Sequence, residues 1–345
     1  MIARWITRWE HWWFRETDPH LLAVFRILFG GFLFFYFALQ IPYVGMLYSR
    51  DGLLLPMFAP TGPFTAIFAA PPPWAANVLF FSFLAALLSF TAGFFTRVSA
   101  ITALVLYSYY WFLSLFLLGA SFDHIFLFFL LVLGCSGCGK TFSADMRIRH
   151  GSFFASEPIS ILPQRILAVQ IAMTYFGVGW QKLFLPDWQD GKILAYSFIG
   201  RWGTPPAYVL ARLNIPLSWY DATVHLIKIF ECSIPFGLWF RRTRLWYIAM
   251  GSAFHTGIAV LLAIWWFLAL LPSYILFFEP EEIALLLTRK CGTLPRVCRC
   301  PETSTTRSAL SITSSSTSLP SARHSAAAAW KKVRMHSTRQ PRKSS

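Results

Sequence analysis

The stretch WAANVLFFSFLAALLSFTAGFFTRVSAITALVLYSYYWFLSLFLL, from Trp74 to Leu118, decides the fold class of this chain. It contains two long apolar segments, Trp74–Phe95 and Val98–Leu118, and its only charged residue, Arg97, lies in the short turn between them. Because a bilayer core needs about 20 apolar residues per helix, each segment is long enough to cross a membrane. The stretch therefore predicts two transmembrane helices joined by a tight turn.

The same apolar character extends along most of the 345 residues, of which 56% are hydrophobic and only 13% are charged. An ordinary soluble protein has about 25% charged residues, so this composition excludes a soluble globular enzyme. Six further segments raise the prediction to eight spans, and hence to an all-α, polytopic transmembrane helical bundle. They are Leu21–Ile41, Ser121–Cys135, Ile166–Leu185, Trp219–Phe240, Leu245–Leu271 and Ser273–Leu287. The apolar segment Leu53–Ala70 contains three prolines, which predict a loop on the membrane or re-entering it.

The distribution of Lys and Arg between the predicted loops indicates how the bundle is oriented. With eight spans, one side receives fifteen basic residues, and the opposite loops hold only Arg50, Lys192, Arg201 and Arg212. In membrane proteins the cytoplasmic loops carry the excess of Lys and Arg. We therefore expect a multi-pass protein of the inner cell membrane with both its N and C termini in the cytoplasm.

The two ends of the chain differ from the transmembrane domain, which we place at residues 18–290. In residues 1–17, Trp and Ile recur at three- and four-residue spacing, opposite a stripe of Arg and His. This pattern predicts an interfacial amphipathic helix on the lipid bilayer. Residues 291–345 are basic and rich in Ser and Thr, with no apolar periodicity, which predicts a disordered cytoplasmic tail. No nucleic-acid-binding fold precedes this tail, so its charge favours an anionic membrane surface over nucleic acid.

The stretch GCSGCGKT, from Gly134 to Thr141, matches the written pattern of a P-loop. A P-loop also needs a preceding strand and a following helix, so that backbone amides can surround phosphate. A predicted membrane span precedes this stretch, and we expect no nucleotide site here. Its two cysteines, and the three between Cys291 and Cys300, lack the compact domain that zinc ligands usually occupy, so we expect no metal site.

Ionisable residues inside the predicted spans are the candidate functional residues, because a charge at the bilayer centre costs about 2.5–3.5 kcal/mol. Lys228 and Glu231 are three residues apart and could neutralise one another as an internal salt bridge. Arg26, near the cytoplasmic boundary, is expected to extend to the lipid headgroups. From the direction of their spans, the other residues converge towards the outer half of the bundle. They are Asp123, His124, Lys182, Asp221, His225 and His255.

Lys182 offers the most specific chemistry of this set. Desolvation disfavours the charged form of a lysine, and a free amine can act as a general base. Alternatively, Lys182 forms a structural pair with Asp221 or Asp187, or extends to the headgroups. A haem is a further alternative ligand, because His124, His225 and His255 could supply axial nitrogens.

Five short stretches, taken in order, carry a family resemblance. They are Phe25-Arg26-Ile27 with Gly30, Asp51-Gly52-Leu53-Leu54, Asp123-His124 leading to Ser143-Ala144-Asp145, Gly179-Trp180-Gln181-Lys182-Leu183 followed by Trp188 and Gly191, and Phe254-His255. Glu231 resembles the glutamate of the span that follows the fourth stretch. The ordered set covers about Trp12 to Glu282 and resembles the HTTM family, the transmembrane domain shared with vitamin K-dependent γ-glutamyl carboxylase.

The resemblance implies a catalytic role for three residues. In the carboxylase, an amine base deprotonates reduced vitamin K, which oxygen converts to a stronger base; this base removes a γ-proton from glutamate before carbon dioxide adds. By match of motif, Lys182 corresponds to the amine base, and His124 and His255 correspond to histidines of the same pocket. We assign substrate contacts to the residues expected around them, which are Asp123, Asp221, His225, Glu231 and Trp188.

Two functional hypotheses follow. The first is a carboxylase-like or oxygenating membrane enzyme that uses a reduced quinone of the vitamin K type and a lipid-soluble or small apolar substrate. The chain ends soon after its last predicted span, so we do not expect propeptide-directed carboxylation of proteins. The alternative is a non-catalytic membrane protein, a transporter or an assembly partner, in which the intramembrane charges are structural.

Overall fold

The computed structural model describes residues 2–53, 69–114 and 122–282, and this part of the chain is mostly helical. The predicted proline-rich loop lies almost wholly outside these ranges, and the predicted tail lies entirely outside them. The helices are α1 Ile2–Phe14, α2 His20–Ala38, α3 Val44–Tyr48, α4 Pro73–Ala92, α5 Thr96–Ser114, α6 Asp123–Cys135, α7 Ala144–His150, α8 Leu162–Lys182, α9 Lys192–Ile199, α10 Pro205–Ala211, α11 Leu217–Trp239 and α12 Arg244–Leu262. The described residues also form three 3₁₀ helices, Ile41–Tyr43, Pro186–Trp188 and Trp265–Phe277. They contain two short strands, β1 Glu16–Thr17 and β2 Ile159–Ser160.

Three of the described helices, α2, α4 and α12, are long and apolar enough to cross a membrane. α6 and the 3₁₀ helix Trp265–Phe277 are apolar but shorter. α5, α8 and α11 have 19, 21 and 23 residues and lie where spans were predicted, but they carry more polar residues. The structure thus gives a helical protein with membrane-spanning elements, and the number of eight spans stays a prediction.

The predicted span Leu245–Leu271 is not one helix. α12 ends at Leu262, and Ala263 adopts a left-handed φ of 52° before the 3₁₀ helix begins at Trp265. The Thr204 hydroxyl group donates to the carbonyl oxygen of Val260 at 2.5 Å, and the Thr204 backbone N–H donates to that of Leu261 at 3.2 Å. These bonds satisfy carbonyl groups that a continuing helix would use, so the helix ends there.

Helix packing divides the bundle into two halves joined by the 3₁₀ helix Trp265–Phe277. In the first half, α2 packs on α4, α4 on α5, and α5 on α6. In the second, α8 packs along α11, and α11 along α12. The 3₁₀ helix contacts α2, α8 and α12, so it belongs to the core of both halves.

Arg26 lies inside the bundle and not at its surface. It is fully buried, and its guanidinium group donates to the carbonyl oxygens of Cys138, at 2.8 Å, and of Phe142. These carbonyls belong to the loop that follows α6 and contains most of the P-loop-like stretch. The prediction that Arg26 extends to the headgroups is wrong, because this loop supplies the hydrogen-bond acceptors that the headgroups would have provided.

The same end of the bundle is fixed by two further side chains. The Ser143 hydroxyl group accepts from the N–H of Met146 at 3.1 Å and caps the N-terminus of α7. The Asp145 carboxylate accepts from the N–H groups of Phe95 and Thr96 at 2.8 and 2.9 Å, which caps the N-terminus of α5. The turn between α4 and α5 is therefore held by α7.

α1 forms over residues 2–14 of the predicted interfacial segment, and Glu16–Thr17 then pair antiparallel with Ile159–Ser160. Trp12 packs on Trp239, with ring centroids 5.7 Å apart, and so attaches α1 to the bundle. Trp5 and Trp9 remain 68% and 63% exposed. This exposed aromatic face suits the lipid headgroup region, where tryptophan is enriched.

Candidate functional site

The site centres on a salt bridge between α8 and α11. Lys182 is the last residue of α8, and its Nζ lies 2.6 Å from Oε1 and 2.7 Å from Oε2 of Glu231. The two side chains are only 12% and 5% exposed. Glu231 therefore pairs with Lys182 and not with Lys228, and the carboxylate partner of Lys182 is neither Asp221 nor Asp187.

Gly179 explains why α8 and α11 come close enough for this pair. A Cβ atom at Gly179 would lie 2.8 Å from the Cβ of Glu231 and 2.9 Å from the backbone nitrogen of Cys232. Any side chain at this position would push the helices apart. The glycine lies one turn before Lys182, so the closest approach of the two helices coincides with the pair.

Trp188 covers the ammonium group of Lys182. Its ring centroid lies 4.2 Å from the Lys182 Nζ, within the range of a cation–π interaction. Lys228, which is buried, donates from its Nζ to the Trp188 carbonyl oxygen at 2.9 Å. Lys228 thus holds the 3₁₀ turn Pro186–Trp188 over the pair, a role that its spacing from Glu231 did not reveal.

A chain of hydroxyl groups continues the site along α8. The Tyr175 hydroxyl group is hydrogen-bonded to Nε2 of His255, and its oxygen lies 2.5 Å from that of Tyr274. The other ring nitrogen of His255, Nδ1, is buried and has no hydrogen-bond partner within the described residues. Tyr175 precedes Lys182 by seven residues and shares its helix face, so the spacing alone could have pointed to it. Tyr274 belongs to the 3₁₀ helix and carried no comparable signal.

Asp221 and His225 lie on α11 near the site but have different surroundings. The Asp221 carboxylate accepts from the Gly191 N–H at 2.6 Å and fixes the loop after Trp188. His225 is exposed and lines an open cleft of about 400 Å³ together with Leu183, Lys228, Ile229 and Cys232. Leu183 and Cys232 directly follow Lys182 and Glu231 in sequence, so the cleft lies next to the backbone positions of the pair.

Asp123 and His124 belong to a second polar cluster, between α5 and α6. The Tyr107 hydroxyl group donates to the buried Asp123 carboxylate at 2.7 Å. His124 is exposed and packs on Trp111, with ring centroids 5.0 Å apart. Among the described residues, no three His, Cys, Asp or Glu side chains converge as metal ligands would. The structure thus gathers Lys182, Glu231, Trp188 and Lys228, while Asp123 and His124 make their contacts with α5.

The comparison with known families agrees with the ordered motifs. The family model of the HTTM domain matches residues 14–281, which is most of the chain. The chain belongs to the HTTM family. No curated protein and no solved structure matches it. Its family and its apolar helices together make it a membrane protein with an HTTM domain related to the membrane domain of the carboxylase.

Two groups of motif residues of this HTTM domain have different structural roles. Arg26, Ser143 and Asp145 hold one end of the bundle through hydrogen bonds to backbone atoms. Gly179 and Lys182 build the buried pair with Glu231. The second group places a buried ionisable pair next to residues that line a cleft, so it is the candidate site.

Proposed function

We propose that the Lys182–Glu231 pair transfers protons to and from a lipid-soluble or small apolar substrate, in a carboxylase-like or oxygenating reaction. The observation that carries this proposal is the pair itself, two nearly buried side chains of opposite charge beside an open cleft. Groups that exchange protons must lie within hydrogen-bond reach of the reacting atom. A small molecule in the cleft would contact Leu183 and Cys232, the sequence neighbours of the two groups.

The pair is suited to proton transfer in a low-dielectric site. A proton held between an amine and a carboxylate leaves the pair electrically neutral whichever group carries it. Proton exchange within the pair therefore places no net charge in the membrane, where an isolated charge is costly. Trp188 limits the access of water to the Nζ of Lys182, and Lys228 keeps Trp188 in that position.

A reduced quinone of the vitamin K type fits the residues present. Its hydroxyl groups need polar partners, and His225 and Lys228 are polar side chains that line the cleft. The buried Nδ1 of His255, which has no partner among the described residues, lies outside this lining. Its apolar ring suits the Leu183 and Ile229 side of the cleft. When bound, a quinol supplies a hydroxyl group that can be deprotonated and a ring that can be oxidised. Lys182 and Glu231 would hold the proton, and Tyr175 would orient His255.

Oxygen uptake by the purified protein tests this function. We expect a reduced vitamin K added to the protein in detergent to raise oxygen uptake, and lipid extracts of the preparation to contain a quinone. At a temperature at which its thermal melt shows it to be folded, Lys182→Met should abolish the response, whereas Lys192→Met, which removes a lysine that is 57% exposed, should retain it. Equal uptake by the wild type and Lys182→Met would refute the proposal.

The non-catalytic alternative is compatible with the same salt bridge. Two hydrogen bonds between one ammonium group and both oxygens of one carboxylate also suit a structural pair that joins α8 to α11. In that case the protein is a transporter or an assembly partner. No quinone would copurify, and added quinol would not change oxygen uptake.

We further propose an inner-membrane topology of eight spans, with the HTTM domain at residues 18–290 and both termini in the cytoplasm. The predicted loops on the cytoplasmic side contain fifteen basic residues, and those on the opposite side contain four, which supports this topology. A fusion of alkaline phosphatase after Glu302 should be inactive, because that enzyme folds only outside the cytoplasm, and a fluorescent-protein fusion there should fluoresce. An active phosphatase fusion would mean that the chain has one span fewer than proposed. Ser273–Leu287 is the first segment that we would then remove from the topology.

A further inference from the structure

A second open cleft, separate from the salt bridge of Lys182, lies between α1 and the bundle. It has a volume of about 400 Å³. The residues that give it its chemistry are Arg8, His11, Trp12, Arg15, Arg165 and Glu279. Its lining contains three arginines and one glutamate, and a second glutamate, Glu281, lies 3.4 Å from Nη1 of Arg15.

Arg165 is the buried wall of this cleft. Its side chain is only 3% exposed, and its guanidinium carbon lies 4.6 Å from the ring centroid of Trp12. Nη2 donates to Oε1 of Glu279, but Nε is buried and has no hydrogen-bond partner in the described part of the chain. This buried guanidinium group therefore adds its charge to the wall of the cleft, where water screens it little.

Glu279 does not neutralise the cleft. One of its oxygens accepts from Arg165 and the other accepts from Arg15, so its single charge is shared between two guanidinium groups. Arg8 and His11 lie on α1, one turn apart, and add donors that face the same space. Three arginines against Glu279 and Glu281 leave one net positive charge, and the exposed Arg8 and His11 provide N–H donors for an anion.

We propose that this cleft binds the phosphate group of an anionic membrane lipid. Guanidinium groups bind phosphate oxygens in pairs of parallel hydrogen bonds, which gives geometric specificity as well as attraction. The exposed indoles of Trp5 and Trp9 on the same helix place the cleft at headgroup depth, where phospholipid phosphates lie. A lipid is therefore a better match than a soluble phosphate ion. The site does not depend on any catalytic role of Lys182.

Native mass spectrometry of the full-length protein in dodecyl maltoside tests the proposal. We expect dioleoyl phosphatidylglycerol to bind saturably, with one lipid held more tightly than the rest, and dioleoyl phosphatidylcholine to bind weakly and without saturation. Arg8→Gln should weaken the tight site about tenfold, because it removes a charge-assisted hydrogen bond to the phosphate. Arg4→Gln is the matched control, because Arg4 is one turn away on α1 and does not line the cleft.

Arg165→Gln is a less direct test, because Arg165 also holds Glu279 and the variant could misfold. The exposed variants Arg8→Gln and His11→Gln avoid this difficulty. Equal losses in Arg4→Gln and Arg8→Gln would overturn the proposal, since they indicate general attraction to the surface of α1. So would equal affinity for the two lipids.

Inorganic phosphate distinguishes the two sources of a phosphate group. If millimolar phosphate does not displace phosphatidylglycerol, the lipid proposal is supported. If phosphate displaces the lipid and Arg8→Gln weakens this effect, the phosphate site is supported but the soluble anion is its ligand. If phosphate binds the wild type and Arg8→Gln equally, the phosphate site is refuted.

Discussion

Lys182 and Glu231 are joined by two hydrogen bonds of nearly equal length, 2.6 and 2.7 Å, across 49 residues of sequence. Both side chains are almost buried, so neither charge is compensated by water. The packing of α8 on α11 and any chemistry at the cleft therefore depend on the same two side chains. Removing one of them leaves an unpaired charge in the interior, whereas removing both does not.

The first prediction follows from this coupling. Lys182→Met should lower the stability of the protein by about 3–5 kcal/mol, because the Glu231 carboxylate is left buried without its partner. The double variant Lys182→Met/Glu231→Leu should recover most of this loss, since two apolar side chains can fill the space. Thermal melts in detergent measure both effects.

Asp221→Asn provides the control for this experiment. Asp221 accepts a hydrogen bond from Gly191 and does not contact Lys182, so adding this change to Lys182→Met should not restore the melting temperature. Recovery by Asp221→Asn and not by Glu231→Leu would contradict the pairing.

The second prediction concerns the close approach of α8 to α11. Gly179→Ala should destabilise the protein by about 1–3 kcal/mol, because its Cβ would lie 2.8 Å from that of Glu231. Gly177→Ala is a matched control on the same helix, with no atom within 4 Å of its Cβ. The control should be neutral or stabilising by about 0.5–1 kcal/mol, as alanine favours a helix. Similar melting temperatures for the two variants would argue against tight packing at Gly179.

The third prediction uses an amine-selective reagent at neutral pH to measure the cover over Lys182. Trp188→Ala should expose the Nζ of Lys182 and increase its modification, and Lys228→Met should do the same to a smaller extent. The reason is that Lys228 holds Trp188 through its carbonyl oxygen. Mass spectrometry of the modified peptides gives the extent of reaction at each lysine.

Lys192 is the internal standard for this labelling. Its side chain is 57% exposed, and its modification should be the same in all variants. The hydrogen bond to Asp190 raises the pKa of Lys192, which slows its reaction equally throughout. A Lys182 that reacts as fast in the wild type as in Trp188→Ala would show that Trp188 does not cover it.

The fourth prediction compares two hydroxyl groups. Tyr175→Phe removes the hydrogen bonds to both His255 and Tyr274, whereas Tyr274→Phe removes only the second. We expect losses of about 2–3 kcal/mol and about 1 kcal/mol respectively, because only the first change leaves Nε2 of His255 buried without a partner. Thermal melts of the two variants in detergent would show which one loses more stability. A larger loss for Tyr274→Phe would contradict the prediction.

The sequence predicted the helical membrane fold because long apolar segments have few alternatives in a bilayer. It also selected Lys182, Glu231 and His255, since ionisable residues are conspicuous in such segments. It did not predict which carboxylate pairs with Lys182, because that depends on how α8 and α11 lie against each other. Spacing within one helix favoured Lys228 as the partner of Glu231. The close approach of the two helices at Gly179 instead brings Lys182 to Glu231.

The end of α12 at Leu262 was missed for a similar reason. Residues 245–271 are mostly apolar, and no proline or run of polar residues marks a break near Leu262. The break depends on Thr204, almost 60 residues earlier, which binds the last carbonyl groups of α12. Contacts between distant segments therefore determined both the helix boundary and the partners in the site.

The last prediction concerns Arg26, whose guanidinium group holds two carbonyl groups of the loop after α6. Lysine keeps the charge but has one ammonium group in place of a planar fork, so Arg26→Lys should leave at least one buried carbonyl unsatisfied. We expect a loss of about 1–3 kcal/mol, and the loop should loosen. Cys138, which is fully buried in this loop, should then react with a maleimide, whereas the exposed Cys135 should react in every variant. Arg97→Lys is the matched control, since Arg97 is exposed. An unreactive Cys138 in Arg26→Lys, with an unchanged melting temperature, would show that the loop does not depend on Arg26.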